Sequence, residues 1–251
     1  MTAKTLPDPF LWLTSAAAVP FLDLATQELT ADASPLVRLT AKLRKTLSSE
    51  QVHLVLEQIG LRRRAKDKFA AAQRMFFTPQ ALMQASDEVI AAYKAARFPA
   101  GGRIADLCCG IGGDLLGLAG QGTCVGVDRD ERLVHFAQRN CNVTDRVGGI
   151  AAASDAAMFP MQDFTAWHID PDRRTSGKRT TKVEHYEPPL DVLENLLAKN
   201  PHAAIKLAPA ADCRLSLRER TYFRGAKGDD LDDSAELEWL ESRGECRQQV
   251  A

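Results

Sequence analysis

Acidic side chains occupy the ends of successive apolar segments in the middle of the sequence, where they could bind a ligand. Asp106 lies inside the first segment and precedes a glycine-rich turn, Gly110-Ile-Gly-Gly113. Asp128 ends the second segment, Asp155 follows the third, and Asp170 ends the fourth. If these segments are parallel strands, their carboxyl ends meet at one edge of a sheet, where nucleotide-type ligands bind. The sequence therefore predicts such a site at that edge.

The glycine spacing and the position of Asp106 discriminate between two kinds of ligand. Gly110, Gly112 and Gly113 remove side chains where the backbone must approach a bulky ligand or adopt unusual dihedral angles. A dehydrogenase turn has the spacing GxGxxG and places a pyrophosphate at a helix N-terminus. Here the spacing is Gly-x-Gly-Gly, and the preceding acid would crowd a pyrophosphate but suits the ammonium and sulfonium groups of S-adenosylmethionine. The sequence favours S-adenosylmethionine as the cofactor and leaves a dehydrogenase as a remote alternative.

The acids at the next two strand ends are assigned to the rest of this cofactor. We expect Asp128 to accept hydrogen bonds from the ribose hydroxyls and Asp155 to meet the adenine amino group. A strand-end aspartate often caps a helix instead, and this alternative stands for Asp106, Asp128 and Asp155. The predicted cofactor-binding residues are Asp106, Cys108, Gly110, Gly112, Gly113, Asp128, Arg129 and Asp155.

The elements that would position these residues alternate between apolar segments and helical patterns after the linker Pro99-Ala-Gly-Gly102. This alternation predicts a parallel sheet covered on both faces. A terminal antiparallel hairpin around Ser242-Arg-Gly244 completes an α/β, Rossmann-like fold class. The strand candidates are Ile104–Cys108, Cys124–Asp128, Gly149–Ala153, Ala166–Asp170, Ala203–Leu207, Ala235–Glu241 and Glu245–Val250, and the helix candidates are Asp114–Ala119, Glu131–Asn142 and Pro189–Asn200.

Residues 1–99 are predicted to form a helical N-terminal domain, and residues 100–251 the domain that carries the sheet. Strong helix formers dominate the first part, where glycine is nearly absent. One helix is predicted from Ser48-Ser49 to Gly60, which should end it. Another begins at Thr78-Pro79, and Ser86-Asp-Glu88 restarts or continues it to Phe98.

Charge is segregated along the chain although the net charge is only −1. Residues 38–74 contain ten Lys or Arg and three acids, whereas residues 229–241 contain seven acids and no base. Such segregation can guide a polyanion to one face of a protein, although a solvated helix face is the alternative.

The cysteine spacing and the hydropathy of the sequence limit the kinds of protein that this chain can be. The six cysteines lack CxxC spacing, so we expect neither a zinc site nor a disulfide framework. Reduced thiols indicate a cytoplasmic protein. Apolar runs fall short of the roughly 18 residues that a membrane span needs, and no signal peptide is expected.

The quoted motifs resemble those of class I S-adenosylmethionine-dependent methyltransferases. The resemblance rests on Asp106-x-Cys-Cys-Gly-x-Gly-Gly-Asp114, Val127-Asp-Arg-Asp130, Ser154-Asp155 and Asp170-Pro-Asp172. Within this class the chain is similar to the branch of RNA cap guanine-N2 (trimethylguanosine synthase-like) enzymes, whose bacterial members often carry a further THUMP-like domain. The resemblance is specific over residues 103–172 and loose over the rest of 60–250. It implies the class I methyltransferase sheet and RNA as a partner.

Two further features of the sequence are compared with that branch. Lys66–Phe77 occupies the place of the branch's basic and aromatic N-terminal segment, with a loose match. The chain stops at Ala251, within the last predicted strand, which indicates a fragment or a shortened member.

The catalytic assignment depends on this resemblance. Amine-methylating members have Asp or Asn, two prolines and an aromatic residue after the fourth strand. The acid accepts hydrogens of an exocyclic amine, and positioning and desolvation supply most of the rate. Asp170 and Pro171 match and are the predicted catalytic residues. Asp172 and Arg173 replace the second proline and the aromatic residue, so the sequence leaves the methylated atom open.

The segment after the fourth strand is predicted to bind the substrate. Residues 173–182 contain five bases and no acid, which suits a phosphate backbone, and an arginine can also stack on a base. A solvated loop is the alternative. The predicted substrate-binding residues are Arg173, Arg174, Lys178 and Arg179, and further stacking candidates are Trp167, Tyr186, Phe76 and Phe77.

These observations predict a methyltransferase that acts on a nucleobase in RNA. A methyltransferase for a small molecule or a protein is one alternative. A module that binds the cofactor or RNA without turnover is another.

Overall fold

The computed structural model describes residues 9–30, 36–146, 148–175, 178–211, 237–242 and 244–251. The chain divides into two units, Met1–Gln84 and Ala85–Ala251. This division precedes the predicted linker at Pro99–Gly102, because the helix between Gln84 and the linker packs within the second unit. The domain boundary at residues 99 and 100 stays a prediction.

The N-terminal unit is helical in its described part, as its composition predicts. Ser48 caps the longest helix by accepting a hydrogen bond from the Gln51 N–H, and the Gln51 side chain accepts from the Ser48 N–H. The Thr78 hydroxyl accepts from the Ala81 N–H and begins the last helix at Pro79. The helices are α1 (Pro9–Leu13), α2 (Val19–Thr30), α3 (Leu36–Leu43), α4 (Ser49–Ala65) and α5 (Pro79–Gln84).

The prediction that Gly60 ends its helix is wrong, because α4 continues to Ala65. Gly60 is exposed, and a Cβ atom there would meet nothing within 4 Å. Leu61 and Ala65 are both buried. The helix continues because its next turn buries apolar side chains, and the glycine lowers helix propensity too little to stop it.

The second unit alternates between strands and helices. Asp87 caps its first helix, so Ser86-Asp-Glu88 starts a new helix. The elements are α6 (Glu88–Ala95), β1 (Arg103–Leu107), α7 (Gly113–Leu118), β2 (Thr123–Asp128), α8 (Glu131–Val143), β3 (Gly149–Ala153), β4 (Ala166–Ile169), β5 (Arg174–Thr175), β6 (Lys178–Arg179), α9 (Leu190–Lys199), β7 (Ala203–Leu207), β8 (Glu238–Ser242) and β9 (Glu245–Val250).

Seven strands of the described part form one sheet in the order β3-β2-β1-β4-β7-β9-β8. The first five are parallel, and β9 runs antiparallel to both β7 and β8. This arrangement confirms the predicted fold class of parallel strands with a terminal hairpin. The chain moves outward from β1 to β3 on one side and from β4 to β7 on the other. The carboxyl ends of β1 and β4 therefore flank the topological switch point, where open α/β sheets bind ligands.

The two faces of the central strands differ in polarity. Side chains alternate between faces along a strand, and one face is apolar and packs with α9. The opposite face carries charged side chains that are buried beneath α6 and α7. The apolar face includes Ala105, Leu107, Trp167, Ile169, Ile205 and Leu207, and the polar face includes Asp106, His168 and Lys206.

Several predicted features differ in the structure or lie outside it. Arg174–Thr175 and Lys178–Arg179 pair as the antiparallel strands β5 and β6 where the sequence predicted a loop. The stacking candidates Phe76, Phe77, Trp167 and Tyr186 are all buried. Gly177, Cys213, residues 229–236 of the acidic segment and Arg243 lie outside the described residues. No helix in the described ranges is both long enough and apolar enough to span a membrane.

Candidate active site

The turn after β1 joins the end of β2 through backbone hydrogen bonds. The Gly110 N–H donates to Asp128 Oδ2 at 2.9 Å, and the Asp130 N–H donates to Asp128 Oδ1 at 3.0 Å. The Cys109 N–H donates to the Val127 carbonyl at 2.9 Å. These bonds place the Asp128 carboxylate directly beside the glycine-rich turn, as its position at the strand end predicts.

The turn itself has the backbone of a ligand cradle. Cys108 and Gly110 have left-handed φ angles of 58° and 56°. A Cβ atom on Gly110 would meet nothing within 4 Å, so the space beside this residue is open. A non-glycine residue in this conformation, such as Cys108, is strained, and such residues cluster at functional sites. The predicted contacts of Cys108 and Gly110 with S-adenosylmethionine stay a prediction.

The next two glycines serve the helix that follows. Gly112 has a φ of 89° and precedes the first residue of α7. A Cβ atom on Gly113 would lie 3.1 Å from the Ser86 carbonyl oxygen and 3.2 Å from Ala85 Cβ. Gly113 thus lets the segment before α6 approach α7, a packing role that the sequence did not indicate. Its contact with the cofactor, like that of Gly112, stays a prediction.

The acids at the ends of β2 and β3 differ in whether they cap the helical turn that follows them. Asp130, rather than Asp128, caps α8 by accepting from the Arg132 N–H at 2.9 Å. Asp155 accepts from the Ala157 N–H at 2.8 Å and caps a short 3-10 turn, as the capping alternative predicts. Arg129 is exposed and pairs with Glu187 at 3.1 Å. The cofactor assignments of Asp128, Arg129 and Asp155 stay predictions.

Asp106 is buried inside the sheet rather than at its open edge. Its Oδ1 atom lies 2.7 Å from His168 Nδ1, on the paired position of β4. It does not cap a helix. Its Oδ2 atom has no hydrogen-bond partner among the described residues. Burial raises the pKa of Asp106, and the hydrogen bond to His168 opposes that rise. The expected contact of Asp106 with the cofactor ammonium stays a prediction.

Asp106 belongs to a larger group of buried side chains that the sequence did not reveal. We call Ser86, Lys94, Asp106, Asp114, His168 and Lys206 the polar cluster. Lys94 Nζ lies 2.5 Å from Asp114 Oδ1 and 3.2 Å from His168 Nε2. The Ser86 hydroxyl donates to Asp114 Oδ2 at 2.9 Å. The cluster thus links α6, α7, β1 and β4, and a bond of 3.3 Å from Lys206 Nζ to the Ser86 hydroxyl adds β7.

Charge balance within the polar cluster sets its ionisation. Burial raises the pKa of Asp114, but its interactions with neighbours, led by the Lys94 ammonium, outweigh burial and hold that pKa below its usual value. Burial lowers the pKa of Lys94, and Asp114 opposes this shift. The cluster is therefore stabilised by mutual pairing of its members, since each buried charge alone would be costly.

Asp170 follows β4 at the carboxyl edge of the sheet. Its N–H donates to the Leu107 carbonyl at 3.3 Å, and its Oδ2 atom lies 2.5 Å from Lys206 Nζ. Burial raises the pKa of Cys108, and the negative charges of Asp128 and then Asp170 raise it further. Leu107 directly precedes Cys108, so its bond to the Asp170 N–H places Asp170 beside the start of the glycine-rich turn, while Asp128 binds the Gly110 N–H of the same turn. The structure brings these predicted site residues together, and Pro171 is buried beside them.

The predicted substrate segment leaves the sheet as a separate hairpin. The Asp172 and Glu187 backbones exchange two hydrogen bonds, of 2.8 and 2.9 Å, that close its base. The Thr180 N–H donates to the Arg173 carbonyl at 2.8 Å. The backbone register pairs Arg174 with Arg179 and Thr175 with Lys178. The structure describes the backbone of Arg174, Lys178 and Arg179, and their contacts with substrate stay a prediction.

No group of three or more His, Cys, Asp or Glu side chains in the described residues could hold a metal ion. The polar cluster could have been suspected from single charged residues inside apolar segments. Lys206 within Ala203–Leu207 and His168 within Ala166–Ile169 are such residues. Sequence alone gives no indication that α6 brings Lys94 to them.

Comparison with known proteins finds similarity to S-adenosylmethionine-dependent methyltransferases. No family model matches the chain. Two Mycobacterium tuberculosis proteins, from the CDC 1551/Oshkosh and ATCC 25618/H37Rv strains, are named uncharacterized S-adenosylmethionine-dependent methyltransferases. Each is 28% identical to this chain over 165 residues, 63% of this chain. The chain spans 45% of the length of these relatives.

A solved Porphyromonas gingivalis W83 protein, provisionally named a methyltransferase, has a similar structure. Its TM-score is 0.65 at 19% identity, and the match covers 92% of this chain and 56% of that chain. The fold is that of the class I methyltransferases. At this identity the likeness establishes the fold alone.

Proposed function

We propose that this chain is an S-adenosylmethionine-dependent methyltransferase that methylates a nucleobase in RNA. The observation that carries the proposal is the convergence of an open glycine turn, Asp128 and Asp170 at the switch point of the sheet. Similarity to the two mycobacterial relatives supports the same chemistry. We place the chain in the trimethylguanosine synthase-like branch and in the cytoplasm, as its motifs and cysteine usage suggest.

The residues of the site divide into a cofactor group and an acceptor group. We assign the ribose hydroxyls to Asp128, the adenine amino group to Asp155, and the turn from Cys108 to Gly113 to the methionyl part. When bound, S-adenosylmethionine supplies an activated methyl group on a sulfonium sulfur. Asp170 accepts a hydrogen bond from the acceptor and orients its lone pair. Positioning of this kind supplies most of the rate in such reactions.

Exposed basic residues of the N-terminal unit support RNA as the substrate. Arg62 and Lys68 have structural roles: Arg62 Nε donates to the Met75 carbonyl at 3.0 Å, and Lys68 Nζ donates to the Leu82 carbonyl at 2.9 Å. The other bases of residues 38–74 are exposed and could contact phosphates, and among them Lys42 also pairs with Glu28 and Arg63 donates to the Leu29 carbonyl. These exposed bases are Arg38, Lys42, Arg44, Lys45, Arg63, Arg64, Lys66 and Arg74.

Replacing Asp128 with alanine should weaken binding of S-adenosylmethionine about 100-fold, through loss of charged hydrogen bonds to the ribose. Loss of the bond from the Gly110 N–H acts in the same direction, because it loosens the turn. Isothermal titration calorimetry measures the affinity. The control is Asp163→Ala, an exposed aspartate on the same unit. Wild-type affinity in Asp128→Ala would contradict the ribose assignment.

Charge reversal at Arg64 and Arg74 should weaken binding of a single-stranded RNA oligonucleotide. Each lost phosphate contact should reduce the slope of log affinity against log salt by about 0.7. Fluorescence anisotropy across a salt series measures this slope for Arg64→Glu/Arg74→Glu. Lys199→Glu, an exposed change at the end of α9, is the control. A slope equal to that of the wild-type chain would indicate that these arginines do not contact RNA.

The substrate class is tested by incubating the chain with methyl-labelled S-adenosylmethionine and total RNA, then digesting the RNA and identifying labelled nucleosides. A labelled nucleoside supports the proposal. Label that enters only protein or small molecules would favour the other methyltransferase hypothesis. Cofactor binding without any transfer would favour the non-catalytic module.

A further inference from the structure

A buried lysine lies directly behind the candidate catalytic acid. Lys206 is on β7, which pairs in parallel with β4. Its Nζ atom lies 2.5 Å from Asp170 Oδ2, and its side chain is 6% exposed against 24% for Asp170. The lysine therefore approaches the carboxylate from the protein interior, while Asp170 retains an accessible side.

The strand that carries Lys206 is otherwise apolar. Its sequence is Ala203-Ala-Ile-Lys-Leu207, and Ile205 and Leu207 belong to the apolar core. A buried ammonium destabilises a protein unless charged and hydrogen-bonding partners compensate. An apolar residue would satisfy packing at this position without that cost. The cation therefore has a use that packing does not explain.

Ser86 connects Lys206 to the rest of the polar cluster. Its hydroxyl donates to Asp114 Oδ2 at 2.9 Å and accepts from Lys94 Nζ at 3.4 Å and from Lys206 Nζ at 3.3 Å. A serine hydroxyl has one hydrogen to donate and two lone pairs, so these three bonds use all of them. Lys206 is thus held from behind by a network anchored on α6 and α7.

We propose that Lys206 is a positioning residue for methyl transfer, acting through Asp170. The ammonium binds Oδ2, fixes the rotation of the carboxylate, and leaves Oδ1 to accept the hydrogen bond of the acceptor. A fixed acid orients the acceptor without reorganisation, and small displacements of such groups cost large factors in rate. This inference rests on the proposed function, since it assigns the acceptor to Asp170.

The test compares Lys206→Met, Lys206→Arg and the control Lys199→Met, an exposed lysine of the same unit. Lys206→Met should lower kcat about 10- to 100-fold, the effect of losing one charged hydrogen bond in the reaction. The affinity for S-adenosylmethionine, measured by calorimetry, should stay close to that of the wild-type chain. Lys206→Arg should recover part of kcat because a guanidinium can also bind Oδ2.

Two outcomes of this comparison would overturn the inference. One is a Lys206→Met variant that loses thermal stability but keeps its kcat. The other is equal loss of kcat and cofactor affinity in Lys206→Met and Lys206→Arg, which would indicate collapse of the site. If Lys206→Met does not fold, the inference is tested by Lys206→Arg alone. This variant should retain part of the wild-type kcat while its affinity for S-adenosylmethionine stays close to that of the wild-type chain.

A second readout separates this inference from the proposed function. Acetic anhydride labelling with peptide mass spectrometry reports the reactivity of Lys206 without any turnover. Lys206 should be protected in the wild-type chain and become more reactive in Asp170→Ala, which removes its carboxylate. Equal reactivity in both chains would contradict the pairing. Absence of labelled RNA nucleosides, with Lys206 protected as expected, would instead contradict the proposed function alone.

Discussion

Asp170→Asn is expected to abolish most methyl transfer while S-adenosylmethionine still binds. Asparagine keeps the size of the side chain but has no charge and only one oxygen. If that oxygen stays on Lys206, the amide N–H₂ faces the acceptor and cannot accept its hydrogen. We expect kcat to fall roughly 100-fold or more. Binding should change little, because the contacts of Asp128 with the glycine-rich turn are untouched.

Methyl transfer from labelled S-adenosylmethionine gives kcat, and calorimetry gives the affinity for the cofactor. Alanine would be a poorer choice, because Asp170→Ala leaves the Lys206 ammonium buried without its carboxylate. Asp163→Asn, an exposed change of the same kind, controls for loss of charge on the unit. If Asp170→Asn transfers methyl groups at the wild-type rate, another residue must orient the acceptor.

The strands of the sheet could be predicted because they are short, apolar and bounded by helix signals. Ala166–Ile169 and Ala203–Leu207 appear within one residue of their predicted bounds. The failure at Gly60 has a different origin. A glycine lowers local helix propensity by only about 1 kcal/mol, and burial of the following turn, which depends on tertiary packing, offsets this cost. Local sequence contains no information about that packing.

The edge of the sheet could also be predicted, but the directions of its side chains could not. Asp128 and Asp170 were predicted to converge because the carboxyl ends of parallel strands share one edge. Asp106 lies within β1 rather than at a strand end, and the alternation of side chains along the strand directs its carboxylate into the polar cluster. His168 becomes the partner of that side chain because the register between β1 and β4 places the two residues side by side. Register between distant segments does not follow from one strand's pattern.

The hairpin of β5 and β6 shows a similar limit. Residues 173–182 are polar and basic, a composition typical of a loop. The backbone pairing between Asp172 and Glu187 closes the base of this segment and brings its two halves together. Glu187 lies beyond the segment in sequence, so composition within the segment could not reveal the pairing.

Lys94→Met should destabilise the second unit strongly. The Lys94 ammonium is 4% exposed and lies 2.5 Å from Asp114 Oδ1. Its removal leaves the Asp114 carboxylate buried with a reduced set of positive partners. Breaking a buried ion pair in this way costs about 3 to 5 kcal/mol of unfolding free energy. Urea unfolding of the full chain measures the change, and Lys199→Met is the matched control. An unchanged unfolding midpoint would contradict pairing within the polar cluster.

The same variant has a predictable pH dependence. The pKa of Asp114 in the folded chain lies below its usual value of 3.8, because positive neighbours led by Lys94 outweigh burial. A carboxyl with a lowered folded pKa stabilises the fold fully above its unfolded pKa, and this stability is lost as pH falls. In Lys94→Met the largest opposing charge is gone, so burial should raise the pKa of Asp114. Acid unfolding, followed by circular dichroism, should then begin at higher pH than in the wild-type chain. Coincident acid transitions for the two chains would show that Lys94 does not control the ionisation of Asp114.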